Sequence, residues 1–347
     1  MTNVIEIKDD VSNVIKVKEN TSNVIEVKDL KVHFEGSQGF LKDFFSKEKN
    51  TVRAVDGIDF VIKKGEIVSL VGESGCGKTT TGKALLRLIH QSDGEILFKG
   101  ESILKKDRRE MKLFRQKAQM IFQDPYQSLN PRNVIIDIVA EPLTVNGLIS
   151  SEQEKKERVI EALENAGLKP GERFLYKYPH ELSGGQRQRI VIASALILNP
   201  EFIVADEPVS MLDASIRADI LKLMVEQRDE KGISYLFITH DLSLAWLISD
   251  RIAIMYLGKI VEVGDAELIA GSCLHPYSKA LVSVMPVPRK IKNRERTILQ
   301  GETPNPSRIP TGCRFHPRCP VAFDRCKTEE PALKEVDVGH FVACHLV

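Results

Sequence analysis

Residues 3–9, 13–19 and 23–29 read NVIEIKD, NVIKVKE and NVIEVKD, three near-copies spaced ten residues apart. Each alternates apolar and charged positions, the period of a half-buried strand. The third copy runs on into LKVHF and predicts the first strand of the main domain. A ten-residue period is too short for the common solenoid units. The first two copies read as redundant, frayed or added to a sheet edge, and a tandem duplication without function is the plainest account, since termini tolerate additions.

From about residue 51 the pattern changes to strands and helices in turn. EIVSLV (66–71), FIVADE (202–207) and ISYLFITH (233–240) are apolar runs of buried-strand type, and KTTTGKALLRLI (78–89) is helical. Such alternation predicts an α/β fold built on a parallel sheet. Residues 135–181 interrupt it: VIIDIVAEPL and SSEQEKKERVIEALENAGL read as helices, the second opened by Ser151. A helical insertion within the α/β domain follows, spanning about 124–182. After about residue 266 prolines thicken (HPY, MPVPR, TPNPSRIP, HPRCP), which favours loops. The expected division is a repeat extension over 1–22, an α/β domain over 23–265, and a small loop-rich domain over 266–347.

Composition narrows the functions. The 347-residue chain carries 49 Lys and Arg against 48 Asp and Glu, so no global field points to nucleic acid. The start, MTNVIEIKDD, has no basic patch followed by an apolar stretch, and no secretory signal is expected. The longest apolar region, YLFITHDLSLAWLISDRIAIMYL, is broken by His240, Asp241, Asp250 and Arg251. A bilayer span needs roughly 20 mostly apolar residues. A cytosolic protein is expected, where structural disulfides are rare. Four of the six cysteines nevertheless fall in the tail: Cys313, Cys319, Cys326 and Cys344. In that compartment they read as a metal site before they read as bridges.

GESGCGKTT, residues 72–80, fits G-x-x-x-x-G-K-[ST] between a predicted strand and a predicted helix. Gly72, Gly75 and Gly77 allow a tight loop whose N–H groups face phosphates. The helix start adds positive potential. Lys78 is placed to reach the β- and γ-phosphates, and the Thr79 hydroxyl to ligate Mg²⁺. Glu73, Ser74, Cys76 and Thr80 complete the expected ATP-binding loop. Cys76 sits where a thiol pKa can fall, though a small residue that simply fits is the plainer reading. FIVADEP then delivers Asp206 to the exit end of a strand, where open α/β sheets bind ligands. Asp206 is a candidate Mg²⁺ partner, and Glu207 a candidate base for the attacking water.

LSGGQRQR, residues 182–189, precedes an apolar helix. Ser183, Gly184 and Gly185 at a helix start can grip a phosphate, which is redundant in a site that already has a phosphate loop. Together with the preceding motifs, LSGGQ makes residues 23–265 resemble the ATPase subunit of an ABC transporter. The resemblance implies that two such domains pair head to tail, so that Ser183, Gly184, Gly185 and Gln186 of one close on the ATP held by the other. It further implies that Gln123 in IFQDPYQSLNPR touches Mg²⁺ and water, that Asp213 in SMLD crosses to the partner, and that His240 contacts the γ-phosphate. An aromatic that stacks on adenine is expected upstream. Phe34 is the candidate, with Phe40, Phe44 and Phe45 close by. Intact motifs predict an active ATP hydrolase.

The tail sharpens the resemblance. LHPYSKALVSVMPVP (274–288) and GCRFHPRCPVAFDRC (312–326) are similar to the C-terminal extension of ATPases from oligopeptide and dipeptide importers. The family then implies a [4Fe–4S] cluster on Cys313, Cys319, Cys326 and Cys344. By chemistry alone four thiolates suit either Fe–S or Zn²⁺, with His316, His340 or His345 as possible substitutes. The spacings are wider than the paired C-x₂₋₄-C of common zinc sites. The cluster is expected to lie apart from the ATP site and to leave nucleotide binding independent of it. The implied partners are a second, homologous ATPase, two permease subunits at the cytoplasmic face of the membrane, and indirectly an extracytoplasmic binding protein. Oligosaccharide or nickel import by the same motor, a soluble ABC ATPase outside transport, and an inactive structural partner are the competing readings.

Overall fold

The computed structural model describes residues 23–35, 51–285, 299, 301–302 and 304–347. The first two N-terminal copies, Phe40, Phe44 and Phe45 lie outside them.

The third copy and LKVHF form one long strand, β1 (Asn23–Glu35), paired antiparallel with β2 (Thr51–Lys63). The apolar run EIVSLV gives β3 (Ile67–Val71), buried throughout, which leads into α1 (Lys78–Leu85). The helix is shorter than its apolar pattern, because Arg87 takes a left-handed turn at φ 49° and redirects the chain. A four-stranded antiparallel sheet is completed by β4 (Asp93–Phe98) and β5 (Glu101–Ser102), in the order β2-β1-β4-β5.

The helical insertion follows α2 (Arg108–Lys117) and β6 (Ala118–Ile121). It comprises α3 (Pro125–Ser128), α4 (Ile135–Asn146) and α5 (Glu152–Asn165), and then α6 (Gly184–Leu196) packs on all three. Ser151 caps α5 by accepting from the Glu154 N–H at 3.1 Å, which satisfies one of the free donors at a helix start.

β7 (Phe202–Asp206), α7 (Ala214–Lys231), β8 (Ser234–Thr239), α8 (Leu242–Ile248), β9 (Arg251–Tyr256) and β10 (Lys259–Asp265) complete the alternation. β6, β7, β8, β3 and β9 are parallel neighbours in that order. Successive residues on these strands divide two cores. Ile203, Ala205, Tyr235 and Phe237 pack under the helical insertion, while Phe202, Val204, Leu236 and Ile238 face the antiparallel sheet. Burial on both faces explains why these strands read as unbroken apolar runs.

The Pro-rich tail is more regular than its composition predicts. α9 (Ala266–Ser272) and α10 (Pro276–Ser283) are helices, and Pro276 opens α10 at its first turn, where a missing N–H costs nothing. α11 (Asp324–Thr328), β11 (Lys334–Asp337) and β12 (His340–Val342) follow. β12 pairs with β10, so the tail extends the ATPase sheet to the order β11-β12-β10-β9-β3-β8-β7-β6. Glu262 on β10, fully buried, anchors this junction. It accepts from Leu274 N–H at 2.7 Å and His275 N–H at 3.1 Å, and its Oε1 lies 2.8 Å from His340 Nε2.

Candidate functional site: a phosphate loop and a carboxylate network

β3 ends at Val71 and the chain turns through Gly72–Thr80 into α1. Gly77 has φ 110°, and a Cβ there would collide with the Ala54 carbonyl oxygen, while one at Gly72 would strike the Met255 carbonyl oxygen. Backbone cannot yield as a flexible side chain does, so both positions demand glycine. Lys78 is buried, and its Nζ donates to the carbonyls of Gly72 at 2.7 Å and Glu73 at 2.9 Å. Ser74 and Gly75 are exposed at the loop's outer rim. The Cys76 thiol faces inward at 1% exposure, and burial pushes its pKa up rather than down. Desolvation here outweighs the helix terminus and Lys78, so Cys76 is a packing residue.

The end of β7 brings two carboxylates to this loop, and the end of β8 brings His240. Thr79 Oγ1 donates to Asp206 Oδ1 at 3.0 Å. Burial, opposed by that hydrogen bond and reinforced by the charge of Glu207, raises the Asp206 pKa. A cation beside it would restore the ionised form. The hydroxyl and carboxylate oxygens are hard donors of the type Mg²⁺ prefers, so the residues fit the ion. Glu207 holds φ 46°, a strained value for a residue with a side chain, and its N–H donates to Ile238 O at 2.9 Å. The turn aims its carboxylate between two partners. Gln123 Nε2 donates to Oε2 at 3.0 Å, and His240 Nδ1 lies 2.9 Å from Oε1. Thr79 with Asp206, and Gln123 with Glu207 and His240, thus gather residues from four separate segments.

The other sequence candidates stand elsewhere. Ser183 caps α6: its hydroxyl accepts from Gln186 N–H at 3.3 Å, and Gln186 Oε1 accepts from Ser183 N–H at 3.0 Å. Gly185 packs so closely on Ile216 that a side chain would displace it. Asp213 is exposed at the start of α7. Phe34, next to the last residue of β1, is 45% exposed and lies opposite Val52. Arg187, next to the capping box, lies over the Tyr126 ring at 4.3 Å and ties α6 to the segment that carries Gln123.

The tail cysteines are brought together. Cys313 N–H donates to Cys326 O at 2.8 Å, and the thiols of Cys313, Cys319, Cys326 and Cys344 are near enough for their charges to repel. Burial pushes Cys313 up to about 11 and raises Cys319 and Cys344. Among the described residues, however, no three His, Cys, Asp or Glu side chains converge on one metal-ion position.

The residues between these cysteines point the other way, into the ATPase. Phe315 is buried against Tyr256 and Tyr277, and Arg314 pairs with Asp56. Arg318 grips Glu73 of the phosphate loop with two hydrogen bonds of 2.8 and 3.1 Å, and the Tyr277 hydroxyl accepts from Glu73 N–H at 3.0 Å. The tail therefore touches the nucleotide loop instead of lying apart from it. The sequence shows the basic and aromatic residues of RFHPR but names no partner for them.

A phosphate loop, two carboxylates at the exit end of β7 and a capped LSGGQ helix define an ABC-type ATPase. The "ABC transporter" family matches residues 55–210, and the "Oligopeptide/dipeptide transporter, C-terminal region" family matches 261–326. The chain is 48% identical to the oligopeptide transport ATP-binding protein AppF of Bacillus subtilis over 92% of this chain and 95% of AppF. It is 45% identical to the dipeptide transport ATP-binding protein DppF of Haemophilus influenzae, covering 87% and 91%. Among solved structures it resembles the dimeric MJ0796 cassette bound to ADP and Pi, with 28% identity, TM-score 0.61, and 70% and 98% covered. It also resembles cbiO1 of Clostridium perfringens, with 27% identity, TM-score 0.61, and 72% and 92% covered. The chain belongs to the ATP-binding subunits of oligopeptide/dipeptide ABC transporters, and it is an ATP hydrolase.

Proposed function

We propose that this chain powers the import of oligopeptides or dipeptides through a membrane ABC transporter. The observation that carries the reading is the meeting of Thr79, Asp206, Gln123, Glu207 and His240 at one end of the sheet, beside the phosphate loop. Peptide cargo rests on the relatives, whose names concern oligopeptide and dipeptide transport.

In this reading residues 72–80 hold the ATP phosphates, with Lys78 moving from the Gly72 and Glu73 carbonyls to the β- and γ-phosphates. Thr79, Asp206 and Gln123 would hold Mg²⁺, which neutralises phosphate charge when bound. Glu207 accepts a proton from water that it orients with Gln123, and His240 steadies the Glu207 carboxylate and meets the γ-phosphate. Phe34 supplies the adenine stack. Ser183–Gln186 and Asp213 serve the site of a second ATPase, a homologous chain, because the capped α6 terminus offers a phosphate grip that its own phosphate loop does not need.

Among the described residues no helix is long and apolar enough to cross a membrane. In this reading the chain works from the cytoplasmic face of the membrane, docked on two permease subunits to which an extracytoplasmic binding protein delivers peptide. The division near residue 265 separates the motor, 23–265, from a tail that carries the cysteines, with 1–22 as an added extension. Four thiols in mutual reach suit a [4Fe–4S] cluster in their chemistry. By ligand chemistry alone the same thiolates also suit Zn²⁺, which takes cysteine sulfur at about 2.3 Å, so the metal content is settled by elemental analysis.

Reconstitution of the chain with its partner ATPase and permease in proteoliposomes tests the proposal. Peptide-loaded binding protein should accelerate ATP hydrolysis and fill the vesicles with peptide. ATP turnover that no peptide stimulates, or stimulation by nickel or an oligosaccharide instead, would overturn the cargo reading.

A further inference from the structure

Glu73 is fixed from three sides. Its N–H donates to Tyr277 of α10, its carbonyl accepts from Lys78, and its carboxylate is held by both terminal nitrogens of Arg318. The Arg318 side chain is 8% exposed and the Glu73 side chain 29%. A bidentate guanidinium–carboxylate pair in that setting fixes geometry as well as charge. Arg318 itself ends a short turn, His316–Arg318, whose backbone is closed by Arg318 N–H to Phe315 O and Cys319 N–H to His316 O. Phe315, on the same turn, is seated among Tyr256, Tyr277 and His275. The cysteine-bearing turn and the phosphate loop are thus one packed unit.

Charge gives this contact a role beyond packing. A phosphate loop must receive a polyanion, and a carboxylate within the loop opposes that. Arg318 cancels the carboxylate and holds it still, while Lys78 shares the Glu73 carbonyl. We propose that Arg318 is a positioning residue for ATP: the tail completes the phosphate loop by neutralising and orienting Glu73. The inference rests on the ATPase reading and deepens it, making nucleotide affinity depend on a segment far from the nucleotide motifs in sequence.

The test compares the full chain with its R318Q, E73Q and R318Q/E73Q variants. ATP affinity is measured by equilibrium binding, and KM and kcat in the assembled transporter. R318Q should weaken ATP binding and raise KM about tenfold, equivalent to ~1.4 kcal/mol, with kcat within about twofold. Removing the opposing carboxylate as well should recover part of the loss, so the double variant should bind ATP at least about threefold more tightly than R318Q, and E73Q alone should bind no more weakly than R318Q. A scaffolding role alone predicts no such rescue. Unchanged KM in R318Q, or a double variant as weak as R318Q, would overturn the inference. If R318Q does not fold, R318K serves: it keeps the charge but loses the two-pronged grip, so an intermediate KM supports the proposal and a wild-type KM sinks it. A wild-type chain that neither binds nor hydrolyses ATP would fail the ATPase reading itself, and is told apart by wild type alone.

Discussion

His240 Nδ1 and Glu207 Oε1 stand 2.9 Å apart, although 33 residues separate them in the chain. The pair exists because β7 and β8 are parallel neighbours, so their exit ends deliver both side chains to one place. Gln123 holds the second carboxylate oxygen from the start of the helical insertion. Both carboxylate oxygens of Glu207 are thus held in place.

Replacing Glu207 by Gln keeps these hydrogen-bonding shapes and removes the proton acceptor. Turnover in the assembled transporter should fall by roughly 10²–10⁴, the range of a general base, while ATP still binds. Steady-state hydrolysis with parallel nucleotide-binding measurements checks this. Near-normal turnover would remove Glu207 from the role of base.

Gly77→Ala should abolish ATP binding, because the new Cβ meets the Ala54 carbonyl and the backbone stands at φ 110°. The strained conformation alone costs on the order of 1–3 kcal/mol, before the collision is counted. Thermal melts and ATP titration of the variant give the answer. A variant with wild-type affinity would show that the loop can open at this point.

Burial pushes the His275 pKa down to about 3 from 6.5. The folded chain therefore keeps His275 neutral where the unfolded chain protonates it. Stability from this group is fully present above about pH 6.5 and is lost as pH falls toward 3, by about 1.4 kcal/mol per unit. His275 Nδ1 accepts from Tyr277 N–H at 3.1 Å, capping α10. Asparagine can keep that cap without titrating, so His275→Asn should flatten the slope of stability against pH by one proton between pH 6 and 4. Denaturant unfolding of both chains across that range measures the difference. Equal slopes would mean that His275 titrates freely.

Cys76, at 1% exposure and with a raised pKa, should resist alkylation in the native chain both with and without ATP. Thiolate is the reactive form and access is needed as well. Mass mapping of labelled peptides, native against denatured, reads this directly. Rapid native labelling that ATP blocks would make Cys76 a phosphate-facing thiol after all.

If the four tail thiols hold an iron–sulfur cluster, anaerobically purified protein should be brown and carry about four iron atoms per chain. Cys319→Ser should bleach it. Since Arg318 adjoins Cys319 and holds Glu73, the same substitution should also weaken ATP binding. Elemental analysis and nucleotide titration test the two parts separately: a colourless wild type with one zinc refutes the cluster, and unchanged ATP affinity in the bleached variant refutes the link.

Local rules were enough for much of this. The phosphate loop, Asp206, Glu207 and the Ser183 cap are written in contiguous residues, because glycine turns, helix starts and strand ends are decided by neighbours in the chain. The buried strands β3, β7 and β8 announce themselves as apolar runs for the same reason. The apolar pattern predicts a longer α1 than forms, because it continues past the left-handed turn at Arg87. The Cys76 environment, the tail strand β12 on β10, and the grip of Arg318 on Glu73 depend on segments up to 245 residues apart. Burial and pairing of that kind arise only when the sheet assembles, so the sequence by itself determined the motifs that mark an ABC ATPase, and the tertiary structure alone decided that the cysteine tail is built against the phosphate loop.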